Sequence, residues 1–77
     1  MPYTPEDDAL LRAIGQNLRK ARLTKGWSQE QLSFESGLHR TYVGAVERGE
    51  RNITVINLRK LASVLGVKLS VLVKRAD

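Results

Sequence analysis

The side chains that could do chemistry in this chain are mainly basic. Its 77 residues include 13 lysines and arginines against eight aspartates and glutamates, a net charge of +5. Cysteine is absent and there is one histidine, which excludes thiol nucleophiles, thiolate zinc sites and a histidine metal cage. The sequence also lacks paired carboxylates, a Ser/His arrangement and a phosphate-binding glycine loop. We therefore expect no enzyme activity, no metal and no cofactor.

The basic residues are concentrated in the body of the chain. Four of the eight acids lie at the two ends, so residues 9–76 contain 13 basic and four acidic residues, a net charge of +9. Such an excess is typical of proteins that neutralise the phosphates of nucleic acid. It also suits an anionic membrane surface, or serves only solubility, and charge alone leaves these alternatives open.

A chain of this length forms one domain, residues 1–77, around a single hydrophobic core. So small a domain buries only about 60% of the surface that its unfolded chain exposes, which favours further burial in a homodimer. No apolar run approaches the roughly 20 residues of a membrane span, and the acidic start is unlike a signal peptide. We expect a cytoplasmic protein with no membrane partner.

Capping residues and glycines divide the chain into helices. Apolar residues recur at steps of three and four within each segment, which predicts an all-α domain. Gly15 weakens the prediction that the first helix is uninterrupted. The valine- and leucine-rich tail fits either a short fifth helix or a strand. The first predicted helix runs from the cap at Thr4 to Lys25, with Gly26 as the stop, and the second runs from the cap at Ser28 to about Ser36. The third and fourth run from the caps at His39 and Thr54 to the stops at Gly49 and Gly66.

The second and third helices are separated by only a few residues. Gly37 lets the chain turn sharply between them, and the small side chain of Ser33 allows the two helices to approach closely. This pattern, over about residues 28–49, is typical of a helix-turn-helix motif, whose second helix enters the major groove of DNA. The apolar contacts within it are expected from Leu32, Leu38, Val43 and Val46.

The chain from Ile14 to Val67 resembles the Xre/Cro family of phage-repressor-type regulators. Three blocks occur in the family's order: LRKARLTKGWSQEQL, SGLHRTYVGAVERGER and LRKLASVLGV. Within the family, the segment RTYVGAVERGERNIT is most similar to controller proteins of restriction–modification operons. The resemblance implies a five-helix fold and a nucleoid-associated homodimer on a pseudo-palindromic operator in double-stranded DNA. It implies neither an enzyme nor a small-molecule ligand.

The third helix carries the expected base contacts. Its first turn holds Arg40, Thr41 and Tyr42, where a helix-turn-helix protein reaches base edges. A cation in the first turn is unfavourable, because it lies near the positive end of the helix dipole. This favours a functional role for Arg40 over that of a solvated surface arginine. Tyr42 packs its ring against the motif, reaches a phosphate, or does both. Ala45 lies where many relatives carry a base-reading side chain, so that contact is lost or becomes one with a thymine methyl.

The resemblance assigns a second group of residues to the DNA backbone. One opens the second helix and three lie at the end of the third helix and in the loop beyond, where a role in base or shape recognition stays open. These residues are Gln29, Arg48, Arg51 and Asn52. The resemblance also pairs Glu47 with Arg22 in an ion pair that sets the angle of the third helix.

The remaining aromatic residues and the histidine are expected to be structural. Trp27 and Phe34 are predicted to be buried or half-buried, because two isolated aromatic residues do not make a stacking platform for single-stranded nucleic acid. His39 is predicted to cap the third helix rather than to bind a metal.

The C-terminal region, about residues 64–77, is the expected dimer interface. It contains more apolar side chains than one short element can bury against its own core, so some of them should form a self-complementary patch. These residues are Val67, Leu69, Val71, Leu72 and Val73.

Two other functions stay open. One is an antitoxin that binds its operator through this domain and neutralises a toxin through a flanking segment, although few residues follow Leu69. The other is a protein–protein adaptor that uses the helix-turn-helix only as a scaffold.

Overall fold

The computed structural model describes residues 2–75, which form five helices and no strand. The prediction of an all-α domain is confirmed, and the valine- and leucine-rich tail forms a helix. Within the described residues, no helix is long and apolar enough to span a membrane. The helices are α1 (Pro5–Thr24), α2 (Gln29–Ser36), α3 (Arg40–Glu47), α4 (Val55–Leu65) and α5 (Leu69–Leu72).

Side-chain caps begin the four longer helices at the predicted residues. The hydroxyl oxygens of Thr4, Ser28 and Thr54 each accept a hydrogen bond from the backbone N–H three residues further on. At the start of α3, Nδ1 of His39 accepts from the N–H of Thr41 at 3.0 Å. Each cap satisfies a backbone donor that the first helical turn leaves unpaired, so local chemistry determines where these helices begin.

α1 continues without interruption through Gly15, and tertiary packing explains the glycine. A Cβ atom there would overlap the carbonyl oxygens of Val46 and Glu47 at the end of α3. Gly49, just beyond α3, has φ of +75° and leaves room for the backbone of Arg12. The two glycines therefore allow α1 to lie directly against the C-terminal end of α3.

Every helix contributes to the core, and two predictions about burial are wrong. Leu72, assigned to the dimer interface, is fully buried because α5 packs against α1 and α4. Phe34, expected to be at least half-buried, is 81% exposed on α2, whereas Trp27 does pack against the core. The fully buried side chains are Leu18, Leu32, Val43, Val46, Leu61 and Leu72.

A hydrogen-bonding side chain of α1 holds the C-terminal segment. Nδ2 of Asn17 donates to the carbonyl oxygens of Leu72 and Lys74, at 3.1 and 2.7 Å. These two bonds satisfy carbonyl groups at the end of α5, which is too short to be stable alone. The contact holds α5 against α1, where the side chain of Leu72 packs into the protomer's own core.

Candidate nucleic-acid interface

The turn between α2 and α3 is stabilised by hydrogen bonds within a few residues. Gly37 ends α2 in the left-handed conformation, with φ of +76°. The hydroxyl of Ser33 donates to the carbonyl oxygen of Leu38, and the N–H of Leu38 donates to Oγ of Ser36 at 3.2 Å. Ser33 therefore joins α2 to the turn, in addition to being small. This turn sets the position at which α3 begins.

A buried ion pair holds the other end of α3. Nε and Nη2 of Arg22 donate to the two carboxylate oxygens of Glu47 at 2.7 and 3.0 Å, and Nη1 donates to the carbonyl oxygen of Trp27 at 2.8 Å. The hydrogen bonds that Arg22 donates to Glu47 raise the pKa of the guanidinium above its ordinary value despite its burial, and the charge of Glu47 adds to the rise. The implied ion pair is thus present, and it ties α1 to the C-terminal end of α3.

Gln29 extends this buried network to the surface. Its Nε2 donates to Oε1 of Glu47 at 3.0 Å, and the side chain is half-buried. Local sequence carries no signal for this bond, because the two residues lie on different helices, 18 positions apart. Gln29 was expected only to contact phosphate, and the structure gives it a second partner inside the protein.

The first turn of α3 presents Arg40 and Thr41 to solvent. Nη1 of Arg40 lies 3.7 Å from Oε1 of Glu30, and these side chains are 64% and 70% exposed. So exposed a pair contributes at most about 1 kcal/mol. The Arg40 guanidinium can therefore exchange Glu30 for another acceptor at little cost.

Tyr42 lies between the core and the surface. Its ring packs against the core, its hydroxyl oxygen accepts from Nδ2 of Asn57 at 3.2 Å, and the guanidinium of Arg51 stacks on the ring, 5.1 Å from the centroid. Because Asn57 supplies the donor in that bond, the hydroxyl proton of Tyr42 can still be donated to another acceptor. Asn57 was not predicted from the sequence. Its hydrogen bond orients Tyr42, and the ring of Tyr42 in turn orients the guanidinium of Arg51.

Ala45 does not join the exposed residues of α3. It retains only 8% exposure, because a methyl group is too short to extend past the side chains around it. Its carbonyl oxygen accepts from the N–H of Glu50 at 2.9 Å, which brings the following loop against the end of the helix. Of the two alternatives for Ala45, its burial favours loss of the base contact.

The end of α3 and the loop beyond it expose further donors. Nε of Arg48 lies 3.1 Å from Oε2 of Glu50, with both side chains more than half exposed, and Asn52 is exposed as well. Together with Arg40 and Arg51, these side chains supply many N–H donors and few acceptors, a composition suited to an anion. Across residues 2–75, no group of His, Cys, Asp and Glu could hold a metal ion.

An exposed first turn on the second helix of a helix-turn-helix, with basic residues beside it, defines a DNA-binding domain of that class. Residues 18–72 match the helix-turn-helix family model HTH_3, and the chain belongs to this family. Its close relatives within the family include restriction–modification controller proteins. The controller protein C.AhdI from Aeromonas hydrophila is 52% identical, with a TM-score of 0.81 over 83% of this chain and 97% of C.AhdI.

Two further relatives extend the comparison. The controller protein C.Esp1396I, solved as a tetramer with its natural 35-base-pair operator, is 38% identical, with a TM-score of 0.75 over 82% of this chain and 83% of C.Esp1396I. A hypothetical transcription factor from Neisseria meningitidis is 48% identical over 63 residues. That match covers 82% of this chain and 59% of the Neisseria protein. The predicted family and five-helix fold are confirmed.

Proposed function

We propose that the protein is a sequence-specific transcription regulator of the restriction–modification controller type, which binds a pseudo-palindromic operator as a homodimer. The observation that carries this proposal is the exposed first turn of α3, on a helix anchored at both ends. Membership of the helix-turn-helix family and the operator complex of C.Esp1396I support it. The proposal includes no catalytic step, and it places the protein on the nucleoid in the cytoplasm.

In this proposal, Arg40 recognises guanine. Its planar guanidinium matches the O6 and N7 acceptors that guanine presents together in the major groove. Thr41 is beside it but too short to specify a base pair alone. Tyr42 contacts a phosphate through its hydroxyl proton while its ring remains against the core.

The backbone contacts come from both ends of the motif. Gln29 can donate its second amide hydrogen to a phosphate, since only one is used by Glu47. Arg48 and Arg51 supply the charge at the end of α3, and Asn52 a neutral donor. Because phosphate contacts position a protein without selecting sequence, these residues account for affinity more than for specificity.

The homodimer is proposed to form through the C-terminal apolar residues that remain accessible. Val71 and Val73 are 44% and 41% exposed, and Val67 and Leu69 are half-buried, whereas Leu72 contributes to the core. A two-fold axis through this surface would place two α3 helices one helical turn of DNA apart, about 34–36 Å.

A binding titration of Arg40→Ala tests the proposal. Operator affinity should fall by about 1–3 kcal/mol, and the preference should flatten at one symmetric pair of positions when every single-base variant of a half-site is compared. Arg40→Lys should recover affinity only in part, because lysine keeps the charge but lacks the planar pair of N–H donors that matches the two guanine acceptors.

Arg19→Ala is the matched control, because it removes the same charge from an exposed position on α1. It should lower affinity slightly and leave base preference unchanged. An equal loss on all half-site variants for Arg40→Ala would make Arg40 a phosphate contact. Absence of any preference for a specific sequence in the wild-type protein would contradict the function itself.

A further inference from the structure

Gly44 occupies an unexpected position for a glycine. It lies in the middle of α3, one turn after Arg40 and one turn before Arg48, so the three residues share one face of the helix. The positive-φ glycines among the described residues are Gly26, Gly37, Gly49 and Gly66, and Gly44 is not one of them. The backbone at Gly44 therefore does not require glycine. Glycine is present all the same, although alanine would make the helix more stable.

The space above Gly44 is filled by two polar side chains from different places in the chain. A Cβ atom at this position would lie 3.2 Å from Nη1 of Arg48 and 3.2 Å from Oε1 of Gln29. Gly44 is accordingly buried, although it lies between two exposed arginines. The missing side chain thus leaves room over the helix for the amide oxygen of Gln29 and the guanidinium of Arg48.

Both of these side chains are held by other partners. Nε2 of Gln29 donates to Glu47, which is fixed in turn by Arg22, and Nε of Arg48 lies 3.1 Å from Glu50. A second amide hydrogen of Gln29 and the remaining guanidinium hydrogens of Arg48 are still available to an acceptor. Gln29 is therefore held by the buried network before any ligand arrives, and Arg48, whose pair with Glu50 is exposed, can turn its free N–H groups to the same acceptor at little cost.

We propose that Gly44 is a positioning residue for DNA binding. Because it has no Cβ, the side chains of Gln29 and Arg48 can lie over the helix and bind one backbone phosphate together. The inference rests on the backbone roles proposed for these two residues, and adds that they act as a unit through Gly44. Preorganised donors bind a ligand more tightly because less ordering is needed on association.

The substitution Gly44→Ala separates this role from a role in folding. A Cβ would meet only the ends of two flexible side chains, which need to move by a few tenths of an ångström, so the fold accepts it. Higher helix propensity should raise the melting temperature by about 4–8 °C. Affinity for operator and for random DNA should fall together, by roughly tenfold, as the paired phosphate contact is weakened.

The control is Ser63→Ala, which also increases helix propensity but at an exposed position of α4. It should raise the melting temperature slightly without changing DNA affinity. If Gly44→Ala leaves DNA affinity unchanged as well, the proposed role of Gly44 is wrong.

A double-mutant cycle distinguishes positioning from direct contact between Gly44 and DNA. In a Gln29→Ala/Arg48→Ala background, Gly44→Ala should cause little further loss of affinity, because the residues it positions are gone. A full tenfold further loss would mean that the methyl group collides with DNA itself, and would overturn the proposal.

A measurement without DNA keeps this inference independent of the proposed function. In NMR spectra of the free protein, one side-chain amide hydrogen of Gln29 should be protected from exchange by Glu47, and Gly44→Ala should shift both amide resonances. Unchanged Gln29 resonances would contradict the proposal that Gly44 positions the side chain of Gln29. A wild-type protein that fails to bind DNA would contradict the proposed function instead, whatever these resonances show.

Discussion

Replacing Glu47 with glutamine tests whether the buried ion pair holds α3 in place. Glu47 accepts three hydrogen bonds, two from Arg22 and one from Gln29, and the side chains of Arg22 and Glu47 are 8% and 3% exposed. Glutamine keeps the size of the side chain but removes its charge. It also replaces one acceptor oxygen with a donor that faces other donors, so at least one hydrogen bond is lost.

The expected cost is large compared with the stability of the domain. Removing one partner of a buried ion pair typically costs about 3–5 kcal/mol, because the other charge remains buried without compensation. At about 0.05–0.15 kcal/mol per residue, a chain of this length is stable by only about 4–12 kcal/mol. Glu47→Gln should therefore remove between about a quarter and all of the free energy of unfolding.

Urea denaturation followed by circular dichroism measures this change. The matched control is Glu50→Gln, which makes the same chemical change at a side chain that is 58% exposed, and it should alter stability by no more than about 0.5 kcal/mol. Replacing both partners, as Arg22→Met/Glu47→Leu, should be less destabilising than Glu47→Gln alone, since no unpaired charge remains. If Glu47→Gln costs no more than Glu50→Gln, the ion pair does not hold the helix.

Four further outcomes are expected. Leu72→Ala should destabilise the protomer by about 2–5 kcal/mol in urea unfolding, because this side chain is fully buried. A loss below about 1 kcal/mol would contradict the burial of Leu72 in the core. Val71→Asp should shift the proposed dimer towards monomer in equilibrium sedimentation at tens of micromolar while leaving the unfolding stability of the protomer nearly unchanged. Arg51→Ala should weaken operator and random DNA alike and make the slope of log affinity against log salt shallower by about one, whereas altered base preference would identify Arg51 as a groove contact. Because the pKa of Arg22 is raised above its ordinary, already strongly basic value, its stabilising contribution is fully present below the pKa of the unfolded chain and is lost only as the pH rises through the folded one. Arg22→Met should therefore cost the same stability at about pH 7 and pH 10.

Local chemistry in the sequence was enough to define the helices and the motif. Caps at Thr4, Ser28 and Thr54 act within three residues, and the left-handed turn at Gly37 needs only its own missing side chain. Periodic apolar residues then identify the faces that pack together. The helix-turn-helix and its family follow from these features because each depends on neighbours close in the chain.

Burial in the short or isolated parts of the chain depended on tertiary packing. A four-residue helix is too short for periodicity to identify its inner face. The sequence therefore assigns Leu72 to the dimer interface, whereas the contacts of α5 with α1 and α4 bury it in the core. Phe34 is exposed although it was predicted to be at least half-buried, because hydrophobicity does not show which neighbouring elements cover a residue.

The arrangement of the binding surface was also decided by tertiary structure. The sequence identified Arg40, Gln29 and Arg48 as polar residues of the motif, and the Arg22–Glu47 pair followed from the family resemblance. The bond from Gln29 to Glu47 and the space above Gly44 arise only when α1, α2 and the end of α3 meet. Contacts between residues far apart in the chain depend on how the helices cross, and that geometry is set by the packed core.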